Sequence, residues 1–252
     1  MNRIVDYDKL NFGIDKWLKD YYYFHGINAF VVGVSGGIDS AVVSTLCAAT
    51  ELPTYVLTMP LHSKKDNTEL SDAHAKALMK KYSNVRVVNI DLSDTYESLL
   101  FNIDQDLVNN KLANANTKSR LRMVTLYQIA GSIGGIVVGT GNKVEDYGIG
   151  FYTKYGDGGV DIAPIADLYK TEVWELGKYL GVDERIIDAE PTDGLWDDDR
   201  KDEDQIGASY EQLEEAMEYR RGPALDILDE FYNKNKHKME PIPTFKLHEV
   251  RL

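Results

Sequence analysis

Cysteine is almost absent from this chain. The single Cys47 excludes an intramolecular disulfide framework and any cysteine-rich zinc site. It reads as a small buried hydrophobe in a reducing, cytoplasmic compartment. Long apolar runs are missing as well. None approaches the roughly 20 residues of a membrane span, and residues 1–20 mix Asp, Lys and Asn without the apolar centre of a secretion signal. Positive charge is scarce: 28 Lys+Arg stand against 41 Asp+Glu, a net charge of −13. A general nucleic-acid binder needs a broad basic face to release counterions from phosphates, and docking on an anionic membrane needs the same. Both are excluded, although a small basic pocket inside an acidic protein is not. What remains is ordinary for a globular chain, with 43% hydrophobic and 27% charged residues over 252 positions. That length fits a single domain over residues 1–252.

Periodicity supplies the organisation. Residues Asp6 to Phe24 read as a helix, with Leu10, Ile14, Trp17, Leu18 and Tyr21 at three- and four-residue spacing. The cluster Tyr21 to Phe24 is unusual for a solvated helix end and predicts packing, with a partner chain as one occupant. The continuous apolar run from Ala29 to Val34 suits a parallel strand covered on both faces. A helix from Ile38 to Ala49 follows, then a strand at Tyr55 to Thr58. Asp66 and Glu69 form a capping-box-like pair that opens another helix. Val85 to Ile90 reads as a strand, helical segments lead through Leu99 to Gln128, and Gly135 to Gly139 reads as the next strand. Strands alternating with helices predict an α/β fold, a doubly wound parallel sheet with helices on both faces. Residues 141–170 carry little periodicity. A helix from Thr171 to Leu180 stops at Gly181. Ser209 with Gln212 caps one later helix, and Pro223 opens another.

The sharpest feature is Gly33-Val34-Ser35-Gly36-Gly37-Ile38-Asp39-Ser40, between a buried strand and a helix. Glycines let the backbone turn tightly and approach a ligand. The helix that follows aims free N–H groups and its positive end at an anion. Ser35 and Ser40 add hydroxyls. The octet suits a phosphate, most simply pyrophosphate. It is not a Walker A loop, because Ile-Asp-Ser stands where Gly-Lys-Ser/Thr is required, and no G-x-G-x-x-G spacing occurs there. Asp39 would repel phosphate oxygens unless a cation lay between, and Mg²⁺ fills that role with one or two carboxylates. A tight strand–helix turn with a first-turn Asp is the purely structural alternative.

The Ser-Gly-Gly-x-Asp-Ser loop resembles the pyrophosphate loop of the ATP pyrophosphatase (PP-loop) superfamily, whose members cleave ATP between the α- and β-phosphates and adenylate a substrate. Further segments resemble the NH3-dependent NAD synthetase family. Asn116 to Met123 is similar to the family's Asn-x-x-Ala-Arg-x-Arg-Met helix, with Ser119 in place of the usual Ala. Gly139-Thr140-Gly141-Asn142 and Glu145 follow at family spacing. Phe151 to Asp161 closely matches the family's most distinctive segment. Leu168 to Thr171, Pro191-Thr192, Asp202-Glu203 and His237-Lys238 complete the series.

The resemblance implies a Rossmann-like fold of the adenine nucleotide alpha hydrolase type. It implies a ligase that joins deamido-NAD, ATP and ammonia through an acyl-adenylate, releasing AMP and pyrophosphate. Asp39, Lys170 and Glu145 would be catalytic, with Asp39 and Glu145 holding Mg²⁺. Gly33, Val34, Ser35, Gly36, Gly37, Ile38, Asp39, Ser40, Thr140, Lys170 and Thr192 would bind ATP. Arg120, Phe151, Lys154, Asp157, Asp161, His237 and Lys238 would bind deamido-NAD. Arg120 and Lys154 suit phosphate or carboxylate. Asp157 and Asp161 suit ribose hydroxyls or the orientation of Lys154, and Phe151 suits stacking on the pyridine ring. The family also implies a homodimer, with the tyrosine-rich first helix near the interface and the dinucleotide partly across it. The chain opens directly on the synthetase portion, so ammonia, not a fused glutamine-hydrolysing domain, is the expected nitrogen source.

Each residue also has a plain reading. Arg120 and Arg122 suit a solvated helix face, and His237 lies in a basic, frayed-looking stretch. Two other functions stay open. A tRNA-modifying PP-loop enzyme would favour a basic surface and paired cysteines. A non-catalytic nucleotide-binding module would favour a damaged loop or lost carboxylates. Between Asp183 and Asp204, eleven acids face three bases, so eight of the thirteen net negative charges fall in one stretch around Thr192. We expect this stretch to act as a cover over the nucleotide site.

Overall fold

The computed structural model describes residues 3–4, 6–62, 65–191 and 201–245, with the side chains of 65–67 left aside. Helix α1 (Tyr7–His25) is capped at its start by the Asp6 carboxylate and at its end by Gly26 in the left-handed region. Strand β1 (Phe30–Val34) leads through the glycine loop into α2 (Ile38–Ala49). Then come β2 (Thr54–Thr58), α3 (Lys65–Lys81), β3 (Val85–Asn89), α4 (Ser93–Phe101), α5 (Lys111–Ile133) and β4 (Ile136–Val137). A π-helical turn spans Val144–Ile149, and α6 (Lys170–Leu180), α7 (Glu184–Ile187), α8 (Asp202–Ile206), α9 (Tyr210–Tyr219) and α10 (Leu225–Met239) complete the chain.

All four strands are parallel, in the order β3-β2-β1-β4. The chain winds outward from β1 to β3, then returns to the far side of β1. The gap between the carboxyl ends of β1 and β4 is therefore the topological switch point, where ligands of open α/β sheets bind. Alternation along β1 sorts the two faces. Phe30 and Val32 join the core formed with α1, α2 and α6, whereas Val31 joins Leu57, Val137 and residues of α4 and α5. Helices thus cover both faces, as the sequence pattern predicts. A second core lies behind the switch point, where Val144, Ile149, Tyr169, Ile206, Tyr210, Leu213 and Leu228 pack together. It fastens the π-helical turn and the start of α6 onto α8, α9 and α10.

Two local expectations change. The strand read over Gly135–Gly139 pairs in register with β1 at Ile136 and Val137, the Val138 N–H still reaches the Val31 carbonyl at 2.9 Å, and Val138 also bridges Ile162 on its other side. Pro223 does not open α10. It follows Gly222, whose φ of 101° starts a turn closed by the Leu225 N–H on the Gly222 carbonyl at 3.3 Å, and the helix begins at Leu225. The Asp66 side chain of the expected capping pair lies outside the described residues. Of the aromatic cluster ending α1, Tyr21 and Tyr22 pack on the first core, while Tyr23 and Phe24 remain 69% and 84% exposed.

Candidate active site

The glycine loop sits at the carboxyl end of β1. Gly36 has φ of 94°, a conformation costly for any side chain, and it turns the chain into α2. The N-cap of α2 is Gly37, and no side chain caps it, so the first N–H groups of α2 remain available to an anion. The loop hydroxyls hold one another: Ser40 Oγ donates to the Gly37 carbonyl at 3.0 Å and accepts the Ser35 N–H at 3.1 Å. The Val34 and Ile38 side chains are buried in the core, which leaves their main chain to face a ligand.

Asp39 projects from the first turn of α2 and meets residues from two distant segments. The Lys170 ammonium, only 3% exposed, donates to Asp39 Oδ2 at 2.5 Å and to Glu145 Oε1 at 3.0 Å. Asn142 Nδ2 reaches Asp39 Oδ1 at 3.3 Å, and Asn142 Oδ1 accepts the Val144 and Glu145 N–H groups. Tyr210 donates its hydroxyl to Glu145 Oε1 at 2.7 Å. Burial pushes the Asp39 carboxyl above its ordinary range against the pull of Lys170. Burial acts on Glu145 too, but the Lys170 charge and the Tyr210 and Asn142 hydrogen bonds outweigh it and hold that carboxyl low. Burial also disfavours a charged Lys170, yet its two carboxylates keep it firmly protonated. Thr140, half-buried, enters the same loop after β4.

The residues expected to bind the pyridine nucleotide gather around residues 150–161. The Arg120 guanidinium of α5 approaches the Lys154 carbonyl at 3.4 Å. Lys154 Nζ donates to the His237 carbonyl at 2.8 Å, and Lys238 Nζ to the carbonyls of Gly150 and Tyr152 at 2.5 and 2.8 Å. These three segments are thereby tied together. Neither expected carboxylate orients Lys154. Asp157 accepts from the Ser119 hydroxyl at 2.7 Å and the Thr153 N–H at 3.0 Å, whereas Asp161 accepts from the Tyr127 hydroxyl at 2.9 Å and the Val137 N–H at 2.8 Å. Phe151 packs against the second core. His237 is exposed at the end of α10. Thr192 lies outside the described residues, as does the middle of the acidic stretch expected to cover the site, residues 193–200.

Three residues of this centre escape sequence reasoning. Asp146 follows Glu145 in the π-helical turn, and its carboxylate lies against Gly141, where an added Cβ would come within 2.0 Å of it. Burial, with Glu145, Asp157 and Asp39 nearby, pushes its pKa up to about 8. Tyr210 and Glu214 arrive from α9. The only sequence signal for them is their four-residue spacing behind the Ser209 cap.

A parallel sheet with this loop at its switch point, and a buried lysine opposite an Asp of the following helix, defines a PP-loop nucleotide-binding α/β protein. Comparison with known proteins narrows the class. The chain belongs to the NAD synthase family, whose sequence model matches residues 12–242. It is 34% identical over 244 residues to the NH(3)-dependent NAD(+) synthetase of Finegoldia magna, covering 96% of this chain and 98% of that protein. Among solved structures, the NMN synthetase from Francisella tularensis superposes with a TM-score of 0.89 at 31% identity, over 97% of this chain and all of that one (100%). The NH3-dependent NAD synthetase from Campylobacter jejuni superposes at 0.77 with 26% identity, over 96% of this chain and 100% of that one.

Proposed function

We propose that this protein is an ATP-dependent ligase that converts the nicotinate carboxylate of deamido-NAD into the carboxamide of NAD, with ammonia as nitrogen donor. The observation that carries the reading is the buried Lys170 between Asp39 and Glu145 at the mouth of the pyrophosphate loop. A carboxylate is a poor electrophile. Its oxygen attacks the α-phosphorus of ATP, the bond to the β-phosphate breaks, and pyrophosphate leaves. Ammonia then attacks the acyl carbon, and the bond to AMP breaks.

The first step brings anions together, so it needs prearranged positive groups. The loop N–H groups from Gly36 to Ser40, with Ser35 and Lys170, suit the departing pyrophosphate. Asp39 and Glu145 converge on one cation, as hard oxygen donors, and so fit Mg²⁺. Mg²⁺ usually takes one or two carboxylates and completes its shell with phosphate oxygens and water. Asp39 and Glu145 would hold it, and it would supply charge neutralisation on the phosphates. Thr140 and Thr192 are assigned to ATP. Arg120, Lys154, Asp157, Asp161, His237 and Lys238 are assigned to the pyridine nucleotide. Lys154 and Lys238 donate to main-chain carbonyls, which phosphate or carboxylate oxygens can replace. Phe151 is assigned to the pyridine ring.

A second reading keeps the chemistry and shortens the substrate. The closer superposition on the NMN synthetase than on the Campylobacter NAD synthetase favours amidation of nicotinic acid mononucleotide to NMN. One experiment separates them: purified protein with ATP, Mg²⁺ and ammonium, given each acid in turn, with kcat/KM measured for NAD and for NMN formation. A higher value for deamido-NAD supports the first reading, a higher value for the mononucleotide supports the second, and no amide from either overturns both.

The reading includes a homodimer, which the exposed Phe12, Trp17, Tyr23 and Phe24 along α1 support. It also includes a cytoplasmic location, which suits the free, buried Cys47 thiol. Among the described residues no helix is long and apolar enough to cross a membrane.

A further inference from the structure

Helix α9 presents Tyr210, Glu214 and Glu218 at four-residue spacing, hence on one face. Each grips a different part of the site. The Tyr210 hydroxyl donates to Glu145 Oε1 at 2.7 Å. Glu214, fully buried, accepts the Thr171 N–H at 2.9 Å and the Thr171 hydroxyl at 2.6 Å. Glu218 accepts the Tyr169 hydroxyl at 2.9 Å. The two neighbours of Lys170 are thus both held by α9.

Tyr210 does more than its row-mates. Its hydroxyl shares Glu145 Oε1 with the Lys170 ammonium, and its ring lies 5.1 Å beneath that same ammonium. One buried side chain therefore touches both the carboxylate and the cation. It is held in turn by α8. Asp202 Oδ2 lies 3.4 Å from the hydroxyl, and Glu203 accepts the Tyr210 N–H at 2.9 Å. The Asp202 N–H donates to the Pro191 carbonyl at 3.0 Å, which ties the start of α8 to Pro191.

We propose that Tyr210 is a positioning residue of the reaction: it fixes how Lys170 is divided between Asp39 and Glu145, and it couples α8 and α9 to that trio. The inference rests on the function proposed above. A tyrosine serving only the core would need an acceptor for its hydroxyl, and any acceptor would serve. Here the acceptor is a carboxylate of the reacting centre, and a charge-assisted hydrogen bond of this kind fixes direction as well as distance.

Tyr210→Phe keeps the ring and its volume and deletes only the hydroxyl. With saturating ATP, Mg²⁺ and ammonium, kcat is expected to fall about tenfold or more while KM for the pyridine nucleotide stays within about twofold. Calorimetric affinity for α,β-methylene ATP with Mg²⁺ should fall severalfold in the same variant. An unchanged kcat, or a rise in KM alone, overturns the proposal. Should the variant fail to fold, hydrogen exchange on the wild-type protein decides. Binding of the analogue should protect amides of residues 202–214 together with 143–149 and 169–172, and protection that leaves out 202–214 overturns the coupling. Wild-type protein that makes no amide from either acid would sink the functional reading, whereas an active wild type with an equally active Tyr210→Phe sinks only the role of Tyr210.

Discussion

The Lys170 ammonium lies 2.5 Å from the Asp39 carboxylate, although 131 residues separate them in the chain. Both are brought there by helix starts: Asp39 lies in the first turn of α2, and Lys170 is the first residue of α6. Lys170→Met would leave Asp39 and Glu145 buried together without a cation, a loss of about 3–5 kcal/mol. Both carboxyls would then titrate above their unfolded values, so the folded state would bind more protons and part of the stability would return as pH falls. Urea unfolding at pH 7.5 and pH 5 checks the sign. Turnover should drop by about a hundredfold or more. A stable, active Lys170→Met would remove the lysine from the centre.

Gly177 sets how closely α6 approaches α2. A Cβ there would come within 2.7 Å of Ile38 Cδ1 and 3.4 Å of Val42 Cγ2. Ile38 directly precedes Asp39, so pushing the helices apart also stretches the Asp39–Lys170 contact. Gly177→Ala should cost about 1–3 kcal/mol by overpacking and reduce kcat. Gly13 of α1 is the control: nothing lies within 4 Å of its added Cβ, so Gly13→Ala should stabilise by roughly 0.5–1 kcal/mol. Equal effects at the two positions, measured by thermal unfolding, would refute the packing argument.

The fold was largely legible because its signals are contiguous. The apolar run of β1, the glycines and the start of α2 stand side by side in sequence, and the caps at Gly181 and Ser209 mark helix ends as written. The meeting of Asp39, Glu145 and Lys170 was legible only through family resemblance, since no local pattern joins residues so far apart. Asp146 was not legible, because a π-helical turn carries no periodic signature and its inward face depends on Gly141. Tyr210 and Glu214 looked like an ordinary capped helix. Their role appears only when α9 packs across the start of α6.

Ser119 stands where the sequence resemblance implies alanine, and the structure gives it a partner. Its hydroxyl donates to Asp157 Oδ1 at 2.7 Å and accepts the Asp157 N–H at 2.9 Å. Gly156 makes room, since a Cβ there would approach Ser119 Oγ to 2.3 Å. Ser119→Ala should cost about 1–2 kcal/mol, as for other hydrogen bonds to charged groups. It should raise KM for the pyridine nucleotide more than it lowers kcat. A change in kcat alone would place Asp157 in the chemical step instead.

His74 gives a pH signal of one sign. Its ring is buried against Ser44, 3.0 Å from Ser44 Oγ, and burial lowers its pKa to about 4. The unfolded chain takes up the proton first as pH falls below 6.5, so stability declines between about pH 6.5 and 4, by on the order of 3 kcal/mol. His74→Gln should flatten that part of the profile. Equal slopes for the wild type and His74→Gln across this window would show that the ring protonates within the folded protein.

Asp146 gives the opposite sign. Its carboxyl is pushed up to about 8 by burial and by Glu145, Asp157 and Asp39. The folded state therefore holds a proton that the unfolded chain releases near pH 4, and stability from this group is present at low pH and lost as pH rises toward 8. Asp146→Asn should leave the protein unchanged at pH 4 and stabilise it by about 1–3 kcal/mol at pH 8, the smaller end reflecting partial exposure. A cation placed among the same acids favours the ionised form. Binding of α,β-methylene ATP with Mg²⁺ at pH 7 should then release a proton, read from calorimetry in buffers of different ionisation enthalpy. The Asn variant should lose that release. Equal proton release in both proteins would assign it to another group and leave Asp146 outside the site's charge balance.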